Sequence, residues 1–171
     1  MMHPKMTLSA LSLGLASLLP IAAGAEEAPK FSDYPGASIH HGRNAAPNLT
    51  SPDARTYHTR IREGAKEKPN FDGHYIVTAW GCGTNCLTSF IIDASTGKVI
   101  MLPAMEAGMR QDAEVIDYRL DSRLIVFNGV IEEQQAVGSQ YFEFDGSRLK
   151  PLKTILRPEW DEGAPESDKP Q

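Results

Sequence analysis

Cysteine is scarce in this 171-residue chain. Only Cys82 and Cys86 occur, so a scaffold of several disulfides is excluded, and no second Cys pair exists to complete a four-thiolate zinc site. Basic charge is also in deficit, with 17 Lys and Arg against 22 Asp and Glu and a formal net charge of -5. A phosphate backbone demands a basic footprint, so nucleic acid is a poor candidate partner. Beyond the first 25 residues no apolar run approaches the length needed to span a bilayer, which predicts no integral membrane segment in the mature chain. Nucleophile-elbow, HExxH, kinase and P-loop signatures are missing as well, so no catalytic residue is assigned and no cofactor or metal is implied. What remains, at 41% hydrophobic and 23% charged, is the composition of a globular domain.

The first 25 residues read as an export signal. Lys5 supplies the positive start, Leu8 to Leu19 the apolar stretch, and Ala23-Gly24-Ala25 a small-residue cleavage site. A periplasmic or secreted location follows as the expectation, and that compartment permits disulfides. Residues 26–51 are rich in Ala, Pro, Gly, Asn and His and predict an irregular arm. Ser51-Pro52-Asp53 predicts a helix start, with Ser as the cap and Pro at the first helical position, and Tyr57 and Ile61 set one face of a helix over about 52–66.

After Phe71 the hydrophobic period becomes strand-like. Seven strands are predicted at 74–80, 87–92, 99–102, 115–120, 124–127, 140–144 and 149–155, with Gly97 and Asp145-Gly146 marking turns. The expected fold is mostly β, a small antiparallel sheet, sandwich or curled sheet with one short N-terminal helix, forming a single globular domain over 52–156. Residues 157–171 combine five carboxylates with three prolines and predict an acidic tail.

Chemistry concentrates in Gly73-His74-Tyr75 and Trp80-Gly81-Cys82-Gly83-Thr84-Asn85-Cys86. Two exported cysteines four positions apart predict a structural disulfide, Cys82 to Cys86. Its ring is short, removes only about 2 kcal/mol or less of unfolded-chain entropy, and so shapes a loop more than it stabilises a fold. Gly81 and Gly83 free the backbone, Trp80 covers one side, and Thr84 and Asn85 offer polar side chains. His74, Tyr75, Trp80, Thr84 and Asn85 are the binding candidates. Other chemistries remain open: disulfide exchange by the two thiols, a metal held by them with His74 or His40-His41, and a hydrolase using His74 as base with Asp72 or Thr78.

The GHY strand followed by a WGCGTxC loop resembles an uncharacterised family of secreted bacterial proteins. The resemblance runs over about 70–103 and implies secretion and a structurally demanding loop, without a substrate, cofactor or catalytic residue. The functional expectation is a periplasmic or secreted binding protein, possible roles including inhibition of another envelope protein. The alternatives are a small secreted hydrolase using His74 and a purely structural envelope protein.

Overall fold

A computed structural model of the chain describes residues 27–83, 86–103, 105–106, 114–131, 136–157 and 160. The proposed signal, Thr84, Asn85 and most of the acidic tail lie outside the described residues.

The fold is mostly β and consists of two antiparallel sheets. In the first, β1 (Tyr75–Gly83) pairs with β2 (Cys86–Asp93), and β2 pairs in turn with β3 (Val99–Met101) and, further along, with β4 (Met105–Glu106). In the second, β5 (Ile116–Tyr118), β6 (Leu124–Ile131), β7 (Ala136–Phe144) and β8 (Leu149–Leu156) follow in chain order. The two-residue β4 is the strand not anticipated from the sequence: Pro103 interrupts the edge, and pairing resumes beyond it.

The expected single helix is instead two, α1 (Pro52–Thr56) and α2 (His58–Gly64). Ser51 caps the first as anticipated, its Oγ accepting the Ala54 N–H at 3.1 Å. At Tyr57 the backbone leaves helical geometry (φ -101°, ψ 20°), and the His58 ring bonds to the Arg55 carbonyl at 2.8 Å, taking up an acceptor near the break.

Strand parity explains the layering. Tyr75, Val77, Ile91, Ile125 and Phe127 point between the sheets and pack with Phe71, Leu102, Ile116 and Phe144. Ile76, Phe90 and Ile92, of opposite parity, pack against Ala54, Ile61 and Ala65 of the helical layer. Leu124 and Val126 face outward from the second sheet, where Ala28, Phe31 and Tyr34 lie over them. The central strands are therefore buried on both faces, which is why 90–92 and 124–127 read as continuous apolar runs rather than alternating ones.

The arm before the helices is irregular, yet it is bound to the sandwich along its length. Ser122, fully buried, has its Oγ at 2.9 and 2.8 Å from the Phe31 and Tyr34 carbonyls and accepts the Leu124 N–H. The arm then crosses the sandwich edge, where Gly36 N–H donates to Asp121 O (2.8 Å) and His40 N–H to Gly73 O (3.0 Å). It continues to the helix side through Ala45 N–H to Ala94 O (2.8 Å) and Asn48 N–H to Gly97 O (2.7 Å). Residues 27–50 thus form a strap joining the outer face of one sheet to the outer face of the other.

Candidate functional site: the disulfide-closed hairpin end and the clefts

The β1–β2 hairpin emerges from this packing at its turn end. Along β1 the first three residues are buried and the last three, Gly81, Cys82 and Gly83, are exposed. Trp80 marks the border: its ring stacks on Phe90 at 5.5 Å and 12° and lies 5.5 Å from Tyr57. Beyond it, Gly81 pairs with Leu87 and Gly83 with Cys86, so Cys82 is the extra residue of a bulge. The Cys82–Cys86 disulfide closes that end, with Cα atoms 5.1 Å apart. Gly83 is required by its backbone, at φ +150°, whereas a Cβ on Gly81 would meet nothing closer than the Cys86 carbonyl at 3.9 Å. The disulfide also withdraws both thiols from the free-thiolate metal site considered above. Among the described residues no group of three or more His, Cys, Asp or Glu side chains is disposed to hold a metal ion.

Tyr75 belongs elsewhere. It is 6% exposed, sits at the other end of β1 with parity opposite to Trp80, and packs edge-on against Phe144 at 4.8 Å. Burial holds its phenol above the ordinary value of 10.0, and the negative charges of Asp93, Asp72 and Asp145 add to the effect. Of the binding candidates, Tyr75 is thus a core residue, on the strand face opposite to Trp80.

His74 is half-buried at the turn entering β1, with its ring 4.2 Å from that of Tyr75. Its backbone is used twice, N–H to Asp72 O (2.8 Å) and carbonyl to Ala94 N–H (2.9 Å), but its ring has no hydrogen-bond partner among the described residues. Asp72, the proposed helper, spends its Oδ1 on the Ala37 N–H at 2.7 Å, and burial holds its carboxyl above the ordinary range. Thr78, four residues along, is up to about 13 Å away on an extended chain and lies against Gly64 of α2. Asp72 and His74 are close enough to interact electrostatically, but Thr78 does not join them, so the three do not form a set of base, orienting group and nucleophile.

Two clefts lie away from the hairpin end. A groove of about 410 Å³ on the outer face of the second sheet holds Glu114, Asp117, Asn128 and Ser139; burial, assisted by Glu114, holds Asp117 above its ordinary value. A larger cleft of about 1190 Å³ runs between the strap at 39–47 and the end of α2 with its following turn. His74 lines neither. Sequence reading missed both, because their walls come from segments distant in the chain; the only sequence signal was the density of Arg, Lys and His at 40–43 and 62–68. Comparison of the chain with protein-family models, with curated proteins and with solved structures returned no match.

Proposed function

We propose that this chain is an exported binding protein of the bacterial envelope, and that it recognises another envelope protein through the disulfide-closed end of the β1–β2 hairpin. The observation that carries the reading is the contrast along β1: a strand rooted in two hydrophobic cores ends in an exposed, covalently closed turn whose glycines leave its backbone uncovered. Such an end is pre-organised, so a partner does not have to order it on binding. Trp80 braces the turn from below by its stacking on Phe90, leaving Gly81, Cys82 and Gly83 as the contact surface. His74 and Asp72 are neighbours, but Asp72 Oδ1 is taken by the Ala37 N–H and Thr78 lies apart against Gly64 of α2, which favours binding over hydrolysis.

The test is capture from an envelope extract by the purified mature chain beside two variants. Gly81→Arg places a large cation where a side chain meets open space, so the fold is kept and capture of a specific protein is lost. Cys82→Ser with Cys86→Ser frees the turn and weakens the same capture. Equal recovery of the same proteins by all three would overturn the proposal.

A further inference from the structure

The larger cleft differs in charge from the molecule around it. The chain is acidic overall, yet Arg43, Arg62, Lys66 and Lys68 line this cleft with Glu67 as the one carboxylate among its lining residues. None of the four cations has an ion-pair partner among the described residues; on the same helix Arg60, outside the cleft, is paired with Glu63 at 3.6 Å. Like charges gathered without partners raise the local potential, and a concave wall concentrates it.

The wall is also fixed in place. Asn44, on the strap, donates from its side-chain amide to Ala65 O at 3.0 Å and Glu67 O at 2.7 Å, all three residues lining the cleft. Those two bonds hold the strap beside the turn that carries Lys66 and Lys68. They also occupy two carbonyl oxygens, at the C-cap of α2 and in the turn after it, that would otherwise present negative charge to an incoming anion. His40, in the same lining, keeps its Nε2 buried and without a hydrogen-bond partner. The lining also carries apolar side chains, Ile39, Pro69 and Leu120 among them, and Ile39 is half-exposed. The volume exceeds what a single phosphate fills and matches a ligand of at least drug-like size.

We infer that this cleft binds a small polyvalent anion with an apolar body, its acidic groups on Arg43, Arg62, Lys66 and Lys68 and its body against Ile39, Pro69 and Leu120. The site shares no residue with the hairpin end and does not depend on the function proposed for it.

The experiment titrates the mature chain with pyrene tetrasulfonate, a fluorescent aromatic polyanion, and follows its anisotropy. Saturable binding is expected, weakening as salt is added. Arg62→Glu with Lys66→Glu, two exposed positions, weakens it by about tenfold or more, as does Arg43→Glu on the strap, while Arg60→Gln leaves it within about twofold. Circular dichroism confirms that each variant is folded, and the two charge-reversed proteins alter different segments, so one unfolded variant does not remove the test. Unchanged affinity in a folded charge-reversed variant, equal weakening by Arg60→Gln, or equally tight binding of uncharged pyrene methanol would overturn the inference.

Discussion

Gly73 and Gly97 sit where the strap crosses the sheets, and both have left-handed backbones, at φ +72° and +77°. A Cβ on Gly73 would lie 2.2 Å from the Ala37 carbonyl oxygen, and one on Gly97 would lie 2.0 Å from that of Ala46. Backbone strain and backbone collision act together, so Gly73→Ala or Gly97→Ala is expected to cost about 2 kcal/mol or more, read as a lower denaturation midpoint. Asp72 gives a prediction of opposite sign. Burial raises its folded carboxyl above the ordinary 3.8, so as pH rises the unfolded chain ionises first and the folded state loses stability from that value upward through the folded one. Asn keeps an oxygen for the Ala37 N–H and tolerates the φ of +41°. Asp72→Asn should therefore raise the midpoint at pH 7, and the gain should vanish in acid below 3.8, where both carboxyls are protonated. At this scale the sequence disclosed that Gly97 belongs to a turn. It did not disclose why a side chain is excluded there, because the colliding atom comes from the strap about fifty residues earlier.

Between elements, the approach of α2 to β1 depends on Gly64, whose added Cβ would stand 2.8 Å from that of Thr78. In an exposed helix Gly→Ala gains up to about 1 kcal/mol from propensity. Here overpacking against a buried strand outweighs that gain, and Gly64→Ala is expected to destabilise by about 1–3 kcal/mol in chemical denaturation. At the hairpin end, Cys82→Ser with Cys86→Ser should lower stability by only about 2 kcal/mol or less, since the ring is short. Strand existence was legible from the apolar runs, but strand length was not. β6 and β7 extend through Asn128, Gly129, Gly138 and Ser139, residues of low strand propensity that face one another in register. Ser139 Oγ donates to Asn128 Oδ1 at 2.8 Å, so cross-strand pairing supplies what propensity withholds. The helix was legible from its Ser-Pro start, while its break at Tyr57 coincides with that ring's contacts to Trp80 and Phe90, which no local pattern encodes.

For the molecule as a whole, the strap changes what counts as the domain. Ala28, Phe31 and Tyr34 cover the outer face of the second sheet, and the 39–47 segment builds one wall of the cationic cleft. Composition alone makes this segment an irregular arm, since its Pro and Gly disfavour long regular elements; its attachments are backbone and side-chain bonds to segments distant in the chain. Trp80 and the two cysteines were legible as one motif, whereas Tyr75, adjacent to His74 in the same motif, is claimed by the core through strand parity. The sandwich thus separates an anchored end of β1, near the Asp145–Arg148 turn through Gly146 and the Tyr75 hydroxyl, from its free end at Gly81–Gly83.

That separation provides the direct test of the recognition claim. A photo-crosslinking amino acid is placed in the chain at position 81, on the hairpin end, or at position 147, on the exposed turn near the anchored end. Irradiation of intact cells is predicted to give a discrete adduct with an envelope protein from position 81 and none from position 147. No adduct from position 81, or the same adduct from both positions, would contradict it.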